Sequence, residues 1–301
     1  MMSKLLSAIF FLVVFNSCDN NDISSVTEEK VISGTGAFIF NDFTPLDAKP
    51  INVFYHIPEN TTAQSKIVMV LHGASRNAAE YRDAWIAQAN QKNLIIIAPE
   101  FSDEYFPGGD TYNLGNVFED GDHPSLQTKN NENEWTFSLI EPLFNKIKSL
   151  TNNTSLNYNI YGHSAGAQFA HRFLLFKPNA NVNKVIVSAA GWYTLPDENT
   201  DFPYGLGNSF TNINLNNFFN QNITIQIGDL DNNPNSPGLR HNQTVDLQGL
   251  NRYDRAYNFY NFCMNKATEV ESSFNWQIIE TPNTGHEFDN GINQASSIIN
   301  F

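Results

Sequence analysis

Residues 156–176 read LNYNIYGHSAGAQFAHRFLLF. Leu156–Tyr161 has the composition of a buried strand, and Phe169, Phe173 and Leu174 recur at helical spacing. Between them lies Gly162-His163-Ser164-Ala165-Gly166, a G-x-S-x-G motif in the context of strand, sharp turn and helix. So sharp a turn forces the serine into a strained conformation. Gly162 and Gly166 remove the Cβ atoms that would clash there. The hydroxyl then projects above the sheet, and the following helix aims its N-terminus at developing negative charge. Ser164 is therefore the candidate nucleophile. The bare motif is weak, and the flanking strand and helix make it specific.

Outward from this turn, strands and helices alternate. Strands are expected at Phe38–Phe40, Ile51–Ile57, Lys66–Leu71, Leu94–Ala98, Lys184–Ala189, Ile223–Ile227 and Phe274–Glu280. The runs KIVMVL (66–71) and LIIIA (94–98) are continuously apolar, as suits strands buried on both faces. Helices are expected over Asn77–Asn93, Glu134–Leu150 and after His286. This alternation predicts one α/β domain over residues 31–301, a mainly parallel sheet covered on both faces. Two stretches break the rhythm, 102–133 and 192–221. Loops of that length are more often functional or disordered than idle.

A serine hydroxyl needs a base to take its proton, and this strand–turn–helix arrangement predicts the order Ser, acid, His. Of the seven histidines, His286 follows the last strand, in TPNTGHEF (281–288), where the base belongs. His72 and His163 occupy motif positions but point elsewhere in such sites, and His171 reads as a packing residue. The acid should follow the 223–227 strand, where Gly228-Asp229-Leu230-Asp231 offers two carboxylates. The Gly-x-x-Asp spacing favours Asp231 over Asp229 as the group that orients His286. Asp229-x-Asp231-x-Asn233 imitates the start of a calcium loop, but Pro234 and Arg240 stand where that loop needs Gly and Glu, so no metal is expected. The oxyanion hole should use the amides of Ala165, directly after the serine, and Ala74, in the turn after the 66–71 strand. Trp192, Tyr193 and Tyr204 are candidates to line the substrate entrance, with Tyr105-Phe106 and Phe202-Pro203 beside them, and burial in the core is the alternative for each. Arg252 and Arg255 are expected to pair with nearby acids on a helix, with binding of an acidic substrate as the alternative.

Charge and cysteine usage narrow the class. Lys plus Arg number 17 against 31 Asp plus Glu, a net charge of -14, so the basic footprint of a nucleic-acid binder is missing. The same balance argues against docking on anionic lipid through a basic face. Two cysteines cannot form a disulfide scaffold. Residues 1–17 read as a targeting segment, with Lys4 ahead of an apolar run from Leu5 to Phe15 that is too short to span a bilayer. The run stops at Phe15-Asn16-Ser17-Cys18, and the chain turns at once to Asp19-Asn20-Asn21-Asp22, which resembles a lipoprotein signal. Cys18 is then the lipidation site, and residues 18–30 form a flexible tether reaching roughly 20 Å. On this reading the protein is exported, membrane contact runs only through that anchor, and Cys263 is left as a buried, inert thiol. Plain secretion is the alternative. The sequence does not set the oligomeric state.

The motifs Leu71-His72-Gly73-Ala74, Gly162-His163-Ser164-Ala165-Gly166, Gly228-x-x-Asp231 and Gly285-His286 together resemble the α/β-hydrolase superfamily, from residue 50 to the C-terminus. Within it the chain is similar to secreted poly(3-hydroxybutyrate) depolymerase-like, feruloyl-esterase-like and acetyl-xylan-esterase-like proteins. The resemblance implies the α/β-hydrolase fold, with about eight strands and helices on both faces. It also implies hydrolysis of short-acyl, aryl or polysaccharide-linked carboxylic esters through an acyl-enzyme, without metal or organic cofactor. The disulfide-stapled members differ from this chain, which lacks paired cysteines. A serine peptidase of the same fold would use the same triad. A non-catalytic surface binding protein would normally have lost one triad member, and none is missing here.

Overall fold

Where the sequence is continuously apolar, the chain lies at the centre of a sheet. A computed structural model describes residues 33–301; the targeting segment 1–17, Cys18 and the tether to residue 30 lie outside the described residues. Strands β1 (Gly34–Phe40), β2 (Ile51–Ile57), β3 (Ile67–Leu71), β4 (Ile95–Glu100), β5 (Tyr158–His163), β6 (Val182–Ser188), β7 (Ile223–Gly228) and β8 (Gln277–Thr281) form one eight-stranded sheet in the order β1-β2-β4-β3-β5-β6-β7-β8. The β1–β2 and β2–β4 pairs are antiparallel, and every pair from β4 to β8 is parallel.

Side chains alternate across the sheet with a period of two, and both faces are covered. Ile67, Met69 and Leu71 of β3 join Ile95 and Ile97 of β4 in one core. Val68, Val70, Ile96 and Ala98 point the other way, into a second core with Trp85, Ala89 and Ile299. Helices α1 (Ala78–Lys92) and α7 (Ile292–Asn300) cover that second face; α3 (Ile140–Thr151), α4 (Ala165–Phe176) and α6 (Arg252–Glu269) supply buried residues to the first. Two short helices, α2 (Gly108–Thr111) and α5 (Leu215–Asn220), interrupt the two long connections. Among the described residues no helix is long and apolar enough to cross a membrane.

Two expected boundaries move. The helix expected from Glu134 begins as α3 at Ile140, after a 3₁₀ stretch over Thr136–Leu139. Pro142 explains this, because its ring would clash with an earlier turn of α-helix and it can donate no backbone bond. The last helix, expected directly after His286, starts only at Ile292, so His286 lies in a loop six residues ahead of it.

Parallel strands set their C-terminal ends along one edge of the sheet, where such folds place ligands. The four segments that carry the candidate residues leave β3, β5, β7 and β8 at that edge. Leu71 is in register with Gly162, and Gly228 with Thr281.

Candidate active site

Ser164 sits between β5 and α4 at φ 55 and ψ -114, a region that costs a non-glycine residue about 1–3 kcal/mol. Its amide donates to Ser188 O at 2.9 Å, which ties the turn to β6. A Cβ on Gly162 would lie 2.2 Å from Gly166 O, and one on Gly166 would lie 2.2 Å from Leu71 O. Both positions are closed to any side chain, so the two glycines let β3, β5 and α4 meet tightly enough to hold the strained serine.

The serine, His286 and Asp231 come together from three loops. A carboxylate can only accept, so Nδ1 of His286 carries its proton and donates it to Asp231 Oδ2 at 2.8 Å. The other nitrogen, Nε2, is then free to accept from Ser164 Oγ at 3.1 Å. This chain of two bonds can draw the hydroxyl proton onto the imidazole as the oxygen attacks. Asp229, the alternative acid, points elsewhere. Its Oδ1 accepts from Thr284 N at 3.1 Å and so holds the loop that carries His286.

Arg252 has a place that its sequence position did not reveal. Expected to pair with a nearby acid on a helix, it donates from Nη1 to Asp231 Oδ1 at 3.2 Å, with both side chains 3–4% exposed. Asp231 is thus held from two sides, by the imidazole and by the guanidinium. Arg255 does pair with an ordinary surface acid, Asp246, at 3.0 Å.

The turn after β3 is held just as firmly. His72 Nδ1 donates to Gly73 O at 2.8 Å, while its Nε2 accepts from Phe101 N at 3.1 Å. Tyr112 Oη donates to His72 O at 2.7 Å, and Arg76 donates to the carbonyls of Phe101, Phe106 and Gly108. The long 102–133 excursion therefore braces this turn, with Phe106, Tyr112, Val117 and Phe118 buried in the core. Among the described residues the amides of Ala74 and Ala165 donate to no protein acceptor. Free N–H groups beside a nucleophile are what an oxyanion needs.

Three other histidines are buried and neutral. Burial pulls His72 down to about 4, and both of its nitrogens are already matched to their partners in the neutral form. Burial also holds His171 and His163 well below the usual 6.5, the latter with help from the nearby His286 and Arg252. His163 shares a 2.9 Å hydrogen bond with Tyr81 Oη, and its ring lies 4.8 Å from that of His286. Each of these groups takes up a proton on unfolding that the folded chain refuses, so stability rises with pH towards 6.5, for His72 from about 4 upward. The slope contributed by one such group is about 1.4 kcal/mol per pH unit. The urea midpoint is accordingly expected to be lower at pH 5 than at pH 7; an equal or higher midpoint at pH 5 would contradict the neutral assignment.

A cleft of about 510 Å³ opens over Ser164 and His286. Its wall includes Ser75, Asn77, Tyr81, Pro237, Gly238, Arg252 and Phe288. None of the aromatic residues expected at the entrance lines it. Trp192 is 4% exposed and packs between the guanidinium groups of Arg172, at 4.1 Å, and Arg240, at 5.0 Å. Tyr193 is fully buried and stacks on Phe259 of α6 at 4.2 Å. Tyr204 packs on Trp192 and lines a different pocket, with Asp122 and Asp201. The cause lies in the exit from β6: Ala189 adopts φ 51, and the chain beyond it packs into the core. Phe106 and Phe202 are buried as well. The aromatic groups at the cleft are instead Tyr81, from α1, and Phe288, two residues past His286, which stack at 4.1 Å.

No family model and no curated protein matches the sequence. Among solved structures, the chain is similar to poly(aspartic acid) hydrolase-1 from Sphingomonas sp. KT-1, at 34% identity and a TM-score of 0.82, over 89% of this chain and 99% of that one. It is similar to LpqC, a poly(3-hydroxybutyrate) depolymerase from Bordetella parapertussis, at 31% identity and a TM-score of 0.80, over 89% of each chain. S-formylglutathione hydrolase (FrmB) from Staphylococcus aureus, at 13% identity and a TM-score of 0.56, shares the fold.

Proposed function

Because the chain belongs to the α/β-hydrolase family, we propose that it is a carboxylic-ester hydrolase in which Ser164 is the nucleophile, His286 the base and Asp231 the group that orients it. The reading is carried by one observation, the unbroken path from Ser164 Oγ to His286 Nε2 at 3.1 Å and from His286 Nδ1 to Asp231 Oδ2 at 2.8 Å. Ser164 Oγ attacks the ester carbonyl carbon while its proton passes to His286 Nε2. The oxyanion that forms is received by the amides of Ala74 and Ala165. As the tetrahedral centre collapses, His286 returns the proton to the departing alcohol and leaves the acyl group on Ser164. Water then repeats the sequence, with His286 as base, and releases the acid. Asp231 stays ionised throughout and stabilises the imidazolium.

The cleft is modest in volume and shaped by Tyr81, Phe288 and Pro237, which suits short acyl chains, aryl groups and single units of a polyester. Likeness to poly(aspartic acid) hydrolase-1 favours a second reading, amide hydrolysis by the same three residues on an amide-linked polymer. Initial rates on p-nitrophenyl acetate, butyrate and palmitate, beside the matched p-nitroanilides, separate the two. The ester reading expects acetate and butyrate to be cut fastest, and a fluorophosphonate adduct to map to Ser164. Label on another residue, or anilides outpacing esters, would overturn it.

A further inference from the structure

Arg252 commits only one of its three guanidinium nitrogens to the fold. Nη1 donates to Asp231 Oδ1 at 3.2 Å and to Ser236 Oγ at 2.8 Å. Among the described residues neither Nε nor Nη2 has a hydrogen-bond partner, and Nε is buried. Arg255, three residues further along α6, shows how this fold completes a structural arginine: its Nε, Nη1 and Nη2 all donate, to Gly249 O, Gly191 O and Arg240 O. Arg172 also leaves one nitrogen unpaired, but its guanidinium packs on Trp192 at 4.1 Å and not on the cleft. Arg252 is different because its side chain is 4% exposed and yet forms part of the cleft wall beside His286.

The unpaired nitrogens are adjacent. Nε and Nη2 make the side-on edge of the guanidinium, two near-parallel N–H groups spaced to meet both oxygens of a carboxylate. Among the described residues no Asp or Glu lines the cleft to occupy that edge, and Asp231 behind it is 3% exposed and engaged with His286 and Arg252. A buried donor left without an acceptor is unfavourable. Nε is closed to solvent while Nη2 is not, so a carboxylate entering the cleft meets Nη2 first and reaches Nε as the side chain turns toward it. The net charge of -14 repels anions at long range, so any preference for them must arise from such a local contact.

We propose that the free edge of Arg252 is a subsite for a substrate carboxylate, which makes the preferred substrate an ester with a free carboxylate within a few bonds of the scissile carbonyl. This rests on the reading of Ser164 and His286 as the reacting pair. The same chemistry is offered by the acid end of a hydroxy-acid oligomer and by the side chains of a polyacid.

Binding to the full-length Ser164→Ala variant, followed by calorimetry, tests the subsite without turnover. Monomethyl glutarate is expected to bind at least 10-fold more tightly than dimethyl glutarate. In Ser164→Ala/Arg252→Met that ratio should fall to near one. The neutral diester is the internal control, because a displaced Asp231 would not by itself erase a preference for charge. If the methionine variant does not fold, Arg252→Lys keeps the charge and loses the fork, and should reduce the ratio at least 3-fold. Equal affinities in Ser164→Ala, or a ratio untouched by either Arg252 substitution, overturns the proposal. A wild-type protein that cuts no ester would remove the ester reading while leaving the binding ratio to decide the subsite. A parallel titration with the α-methyl ester of N-acetylaspartate distinguishes the sources: tighter binding than monomethyl glutarate assigns a side-chain carboxylate, and weaker binding assigns a chain end.

Discussion

Ser164→Ala should reduce ester turnover by roughly 10⁵- to 10⁶-fold, and His286→Ala by a similar factor. In the Ser164→Ala variant the attacking oxygen is gone. In His286→Ala the hydroxyl remains but nothing takes its proton, because Ser164 Oγ has His286 Nε2 as its hydrogen-bonded base at 3.1 Å. The two residues perform one step, so the double variant should be hardly worse than either single one. A residual rate above that in water is expected, since the amides of Ala74 and Ala165 and the cleft itself survive both changes. Folding should be unaffected. Alanine keeps a Cβ at φ 55, so the strain of the turn persists, and Ser164 N still donates to Ser188 O. Initial rates on p-nitrophenyl acetate, with circular dichroism to check the fold, give the result. Near-full activity in Ser164→Ala would remove this serine as nucleophile.

What could be read from the sequence was whatever leaves a local mark. KIVMVL and LIIIA lack alternation because β3 and β4 are covered on both faces. Gly162 and Gly166 mark the elbow because no side chain fits at either position. His286 and Asp231 follow their strands at fixed offsets, and the structure brings both to Ser164. Contacts across distant segments leave no such mark. Arg252 reaches Asp231 from the first turn of α6, in a stretch that reads as an ordinary polar helix start. Tyr81 reads as one apolar position of α1, although its hydroxyl meets His163 at the cleft. Trp192 and Tyr193 show the limit from the other side. An aromatic residue just past a strand looks the same in sequence whether the chain then turns outward or, as here beyond Ala189, back into the core. The 102–133 excursion was legible as a long connection, but its bracing of the turn at His72 and Arg76 depends on carbonyls that any sequence could present.

Asp231→Asn is expected to cost roughly 10⁴-fold in kcat, the effect of holding the imidazole in the wrong tautomer. An amide has one oxygen and one NH₂, and the two neighbours of this side chain make different demands. Arg252 Nη1 can only donate, at 3.2 Å from Oδ1, so the amide oxygen must face it. The NH₂ is then turned toward His286 Nδ1, where Oδ2 now accepts at 2.8 Å. Nδ1 has to become the acceptor, the proton moves to Nε2, and Ser164 loses its base. Flipping the amide would restore the tautomer but set its NH₂ against the guanidinium, so Arg252 blocks the escape. Asp229→Asn, two residues away, meets no such conflict. Its oxygen can still accept from Thr284 N, now at 3.1 Å, and hold the His286 loop, so a loss within about 10-fold is expected. Side-by-side kcat values for the two variants on one short ester decide the assignment. If Asp229→Asn is the more damaging, the orienting carboxylate is Asp229 and the path through Asp231 is not the one used in turnover.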